Sequence, residues 1–233
     1  MQHKSYAMEQ LPAYINITFE LTTLLAAGLL YKASRYSKPL LIILVLWLAL
    51  QGIIGASGFY TITHTAPPRF VLLAMPPIIL VIALFVTKKG RAVTDSFDMG
   101  TLTLLHIVRI PVELTLYWLL LHKAVPQAMT FEGRNFDILC GISAPIVYYL
   151  GYIKKVIGLK VILAWNIICL LLLANVVTTA ILAAPSPLQQ FAFDQPNVAM
   201  LYFPFVWLPC CVVPAVLLAH LVAIRRLALQ KGK

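Results

Sequence analysis

The sequence predicts an all-α fold, a polytopic integral membrane bundle of seven transmembrane helices forming a single domain over residues 1–233. Three observations predict it. Hydrophobic residues make up 61% of the chain and charged residues 11%, where a soluble domain carries about 25% charged. Apolar runs of about 20 residues, the length that crosses a bilayer core, recur along the chain. Lysine and arginine collect in alternate connections, the pattern that orients a membrane protein. The mean hydropathy of +0.89 agrees.

The runs lie at 13–31, 39–60, 70–87, 101–121, 136–153, 161–184 and 199–224. Their length and the lack of period-two alternation make them helices rather than barrel strands. The first carries Asn16 and Glu20, one turn apart on one face, and the second carries Gln51. The third holds Pro76 and Pro77, which mark a kink of the kind membrane helices tolerate. The fourth and fifth are interrupted by polar residues, with Pro111 and Pro145 inside them. Asn166 and Asn175 lie in the sixth. The seventh contains Pro204, Pro209 and Pro214 and places His220 near its inner, interfacial end. The first fourteen residues, "MQHKSYAMEQLPAY", lack the basic-then-apolar layout of a cleavable leader, so the first run is expected to insert directly.

Orientation follows from the basic residues. Lys32, Arg35, Lys38, Lys88, Lys89, Arg91, Lys154, Lys155, Lys160, Arg225, Arg226, Lys231 and Lys233 fall on one side of the predicted topology. Lys4, Arg69, Lys123 and Arg134 fall on the other. The richer side is cytoplasmic, which puts the N-terminus outside and the C-terminus inside. The net charge of +10 is thereby topological and calls for no nucleic-acid partner. Cys140, Cys169, Cys210 and Cys211 sit within apolar runs with no CxxC spacing and read as packing residues.

The fourth run, "LHIVRIPVELTLYW", holds the chemistry. On a helix, His106, Arg109, Glu113 and Tyr117 fall within an arc of roughly 80°. Arg109 and Glu113, four apart, are placed to pair along the helix. A lone charge at the bilayer centre costs about 2.5–3.5 kcal/mol on insertion scales, so the stripe is expected to face the bundle interior. There it lines a site for a polar ligand or a proton; the plainer reading is a buried pair that only fixes packing. Glu20, Gln51 and Asn175 are the other candidate ligand contacts, each equally a candidate interhelical hydrogen-bond partner.

On the outer face, "FEGRNFD" gathers Glu132, Arg134 and Asp137. Asp137 falls where a carboxylate caps the fifth helix; the alternative is an outer binding lip shared with Asp194 and Trp207. Tyr202, Phe203, Phe205 and Trp207 form either an interfacial aromatic belt or a stacking wall. His64, His122, Glu132, Asp137 and Asp194 gather on the outer side, yet no HxxxH or HExxH spacing occurs, so no metal and no cofactor is expected. Ser143 has no evident base. Residues 199–224 contain no lysine, which excludes a retinal Schiff base in the last helix.

A faint repeat supports a 3+1+3 parallel plan. "FEL" at 19–21 resembles "FDI" at 136–138, Trp47 matches Trp165, and 70–91 aligns with 205–226. The function these features predict is transport of a small polar molecule or ion through a central site on the fourth helix. The alternatives are a ligand-binding sensor and, less favoured, an intramembrane enzyme with a carboxylate or metal site. The expected partners are the lipid bilayer, a small-molecule or ion ligand and further copies of the chain in a homo-oligomer, in the plasma (inner) membrane.

Overall fold

The computed structural model describes residues 8, 11–65 and 67–230, and all regular structure among them is helical. Most of the stretch read as lacking a leader (residues 1–7, 9 and 10, with Lys4) and the tail residues Lys231 and Lys233 lie outside the described residues. Nine α-helices are described from residue 13 onward: α1 Ala13–Ala33, α2 Lys38–Ala56, α3 Val71–Val86, α4 Lys88–Asp95, α5 Met99–Leu105, α6 Arg109–Leu121, α7 Ile138–Tyr148, α8 Leu159–Leu182 and α9 Val213–Gln230. A 3-10 turn at His106–Val108 joins α5 to α6 as one rod. A π-helical turn at Tyr149–Ile153 extends α7, and another at Leu208–Val212 precedes α9.

Five helical stretches are long and apolar enough to cross a membrane: Ala13–Ala33, Lys38–Ala56, Met99–Leu121, Leu159–Leu182 and Leu208–Gln230. α3 and α4 make a sixth only if counted together across a 93° bend. Thr87 produces that bend. Its extended backbone stops α3, and its hydroxyl accepts from the Gly90 N–H to start α4. The stretch Ile138–Ile153 is apolar but shorter than a span.

Two predicted boundaries move. The run 39–60 stops being α-helical at Ala56, because Gly58 takes the left-handed conformation (φ 75°) that ends helices. The run 199–224 does not begin as a helix. The long helix instead covers Leu208–Gln230, with Pro209 in its first turn, where a missing N–H is tolerated. Residues 196–201 fold inward: Asn197, Val198 and Ala199 are buried, and the Val198 and Ala199 N–H groups both donate to the Ala124 carbonyl. The aromatic opening therefore forms no simple belt. Phe205 is fully buried against Phe19, and the half-buried Trp207 donates its indole N–H to the Leu48 carbonyl at 3.0 Å.

Two elements form the centre. The rod Met99–Leu121 is 50% buried and Leu208–Gln230 is 67% buried, against 22–33% for the other long helices. α1, α7 and α9 pack around the rod, and α8 packs on α9. The outer helices turn large aliphatic side chains outward, at Leu46, Ile53, Val161 and Leu171 for example, as helices bathed in acyl chains do. Pro214 has no N–H for the carbonyl four residues earlier. That carbonyl, of Cys210, takes the Trp47 indole N–H at 2.9 Å instead, which ties α2 to the head of the last helix. The aligned runs 70–91 and 205–226 fold differently, one bending sharply and the other continuing straight to Gln230.

The basic connections meet at one end of the bundle. There Arg225 pairs with Asp95, Arg226 donates to the Phe97 carbonyl, and the Asp98 N–H donates to Ala33 at the end of α1. At the opposite end, Gln195 donates to the Leu120 and Val125 carbonyls, and Asn175 donates to Arg134.

Candidate functional site

Three residues of the predicted stripe turn inward: His106, Arg109 and Glu113 are 1%, 3% and 1% exposed. Tyr117, the fourth, is half-buried and lies against the Phe131 ring at 5.1 Å. The predicted pairing along the helix is corrected. Arg109 forms its ion pair with Asp137 at 3.0 Å, and Glu113 accepts from Asn135. The reason lies in the connection before α7. Residues 129, 130, 135 and 137 of this connection are buried, so it enters the bundle and delivers two polar side chains, Asn135 and Asp137. Gly141 permits the close approach, because a Cβ there would lie 2.8 Å from the Ile110 Cγ1 and 3.0 Å from the Ile110 nitrogen. The early entry also accounts for the short apolar stretch 138–153.

The bonds continue across the centre. Asn135 is fully oriented: its Oδ1 accepts from the Asp137 N–H at 3.0 Å, and its amino group donates to the Met129 carbonyl and to Glu113. Arg109 donates to the His220 Nε2 at 2.9 Å and, less closely, to the Cys169 carbonyl at 3.4 Å. Asn166 donates to the Ile162 carbonyl, which turns its Oδ1 towards the His220 Nδ1 at 3.0 Å. His220 therefore carries its hydrogen on Nδ1 and offers the Nε2 lone pair to the guanidinium. His106 stacks on His220 with ring centroids 3.9 Å apart, and the Trp165 ring stands edge-on to His106. One polar chain thus runs from Asn135 through Asp137, Arg109 and His220 to Asn166.

The chain is not saturated. Glu113 Oε2, His106 Nδ1, Arg109 Nε and Asp137 Oδ1 are buried without a hydrogen-bond partner; the Asp137–Arg109 contact is an ion pair by distance rather than an aligned hydrogen bond. Unpartnered buried polar atoms are costly, at about 1–3 kcal/mol each. Three of them, Glu113 Oε2, His106 Nδ1 and Arg109 Nε, have neither a hydrogen bond nor an ion pair.

The other predicted residues lie apart from this chain. Gln51 is buried and accepts from the Tyr60 hydroxyl. Asn175, exposed, holds the Arg134 carbonyl at 2.8 Å. Glu20 is half-buried on α1 and belongs to none of the bonds above. Of the predicted outer lip, Glu132, Arg134 and Asp194 are exposed. Asp137 is not at an exposed lip: it holds the N-cap position of α7 as expected, but its side chain is 5% exposed, makes no capping bond, and faces Arg109 instead. Trp207 likewise leaves the lip to wedge against α2. Ser143 accepts from the Trp165 indole and donates to the Leu139 carbonyl. No group of three or more metal-ligating side chains gathers among the described residues.

His220 and Asn135 are the residues that sequence reasoning misplaced or missed. His220, read as interfacial, is fully buried at the centre. Asn135 carried one signal, its place beside Asp137 directly before an apolar run that is short for a span.

The fold and this buried, partly charged centre define a multi-pass helical membrane protein. Residues 67–228 match the family described as a domain of unknown function, DUF8737, and the chain belongs to that family. The matched stretch contains every residue of the polar chain and leaves out Glu20 and Gln51. Comparison with curated proteins and with solved structures finds no match.

Proposed function

We propose that the protein is a proton-coupled transporter of a small polar molecule or ion, with seven spans, an outer N-terminus and a cytoplasmic tail, in the plasma membrane. In this reading α7 with its π-helical turn is a thin fifth span lengthened by the descending loop, and the bent α3 is the third. The alternation of basic connections supports the orientation.

The observation that carries the function is the imbalance of charge around Arg109. One guanidinium faces Asp137, while a second carboxylate, Glu113, lies one helical turn away and shares Asn135 with Asp137. One cation balances one carboxylate. With both carboxylates ionised, the buried cluster holds one negative charge in excess, which a low-dielectric interior disfavours. A proton on Glu113, or a bound cation, removes the excess. Glu113 is accordingly the exchanging group, through its unpartnered Oε2. Asp137 and His220 hold Arg109 in place, and because Asp137 already balances its charge, the excess negative charge favours a proton or a cation as the species that enters. Intramembrane ionisable residues arranged in this way serve substrate and proton paths in pumps and transporters.

The test is uptake into proteoliposomes under an imposed pH gradient, with a panel of radiolabelled amino acids, sugars and small carboxylates. The reading predicts accumulation of at least one class, collapse on adding a protonophore, and loss of uptake in Glu113→Gln. Uptake no greater than in protein-free vesicles across the panel overturns it. Binding without accumulation points to a sensor instead.

A further inference from the structure

At the basic end of the bundle lies a second feature, remote from the polar chain in its chemistry. A half-open cavity of about 440 Å³ sits among the start of α5, the turn after α7, the start of α8 and the end of α9. Its volume falls within the roughly 300–1,000 Å³ of small-molecule sites. Its lining divides in two. Lys155 and Arg226 supply positive charge, and Met99, Ile162 and Leu227 supply an apolar wall. Among the described residues that line it, none is acidic.

Neither nearby carboxylate lines the cavity. Asp95 pairs with Arg225 at 2.9 Å, and Asp98 accepts from the Thr101 N–H and hydroxyl. Arg226 spends one amino group on the Phe97 carbonyl and keeps its remaining donors. Lys155 is exposed at the rim, on a left-handed backbone (φ 55°). Tyr152 also lines the cavity, and its hydroxyl is buried without a hydrogen-bond partner. Two cations beside an apolar wall, at the end of a helical bundle, suit a phosphate group, singly or doubly charged, whose attached chain lies along the wall.

We propose that this cavity binds a phosphate-bearing anion, with Lys155 and Arg226 as its counter-charges. An anionic phospholipid headgroup and free phosphate share this chemistry. The site is independent of the transport reading, since it uses none of Glu113, Arg109, Asp137 or His220.

Two variants test it without disturbing the fold. Lys155→Glu inverts an exposed charge. Gly158→Leu fills the mouth: Gly158 lines the cavity, a Cβ there meets nothing within 4 Å, and its backbone (φ −74°, ψ 159°) suits any residue. The full chain is placed in nanodiscs of phosphatidylcholine with a minor share of phosphatidylglycerol, and lipids retained on release are counted by native mass spectrometry. A parallel arm titrates inorganic phosphate against thermal melting in zwitterionic detergent. Wild-type protein is expected to retain phosphatidylglycerol over phosphatidylcholine, with the preference falling about tenfold in Lys155→Glu and in Gly158→Leu. Retention in the first arm assigns the phosphate to a lipid. Protection in the second arm alone, lost in both variants, assigns it to a soluble phosphate. Equal retention of the two lipids with no protection by phosphate overturns the proposal, as does a preference that both variants keep.

Discussion

Asp137 reaches Arg109 at 3.0 Å from the start of α7, while Glu113, on Arg109's own helix, turns to Asn135. This exchange of partners makes the two carboxylates unequal. Asp137 makes the direct contact with the buried cation, so Asp137→Ala breaks that ion pair, leaves only Glu113 a helical turn away as counter-charge, and is expected to destabilise the protein by up to about 3–5 kcal/mol. Glu113→Gln keeps an oxygen that accepts from Asn135 and is expected to cost less than about 1 kcal/mol. Thermal melting of both variants in detergent checks the ranking. The reverse order would restore the pairing along the helix.

The Trp47 bond to the Cys210 carbonyl yields a second prediction, one of non-additivity. In the wild-type background Trp47→Phe strands a buried carbonyl and is expected to cost about 1–3 kcal/mol. Pro214→Ala supplies an N–H at position 214 that can reach the same carbonyl. In that background the cost of Trp47→Phe is expected to fall by more than half. Equal costs in both backgrounds would show that the indole does not stand in for the missing donor.

These two sites also show what was legible in the chain. Helix type and the placement of most runs follow from hydropathy alone, because an apolar segment in lipid must satisfy its backbone internally. The inward turn of His106, Arg109 and Glu113 follows from the cost of charge in hydrocarbon. Partner choice was not legible. Asp137 finds Arg109 only because its connection enters the bundle and Gly141 lets two helices close up, and both are tertiary events. The helix start at Leu208 was hidden for a related reason. Residues 199–207 are as apolar as a span, yet much of that stretch is buried by packing inside the protein rather than by lipid.

Orientation is open to a direct labelling test. The four native cysteines are buried, so an introduced thiol reports with little background. Arg134 and Lys155 are exposed at opposite ends of the bundle. In intact cells a membrane-impermeant maleimide is expected to label Arg134→Cys. Lys155→Cys is expected to react only after permeabilisation. The opposite pattern would invert the topology and with it the positive-inside assignment.

The central claim is that Glu113, deep in the bundle, exchanges a proton with solution. Infrared difference spectroscopy of the protein in vesicles, stepped between alkaline and acidic buffer, reads a protonated carboxyl directly. The account predicts a buried-carboxyl band that rises and falls reversibly with pH in the wild type and is missing in Glu113→Gln, with the fold unchanged by melting. A band that persists in Glu113→Gln, or a wild-type spectrum with no such pH-dependent band, contradicts it.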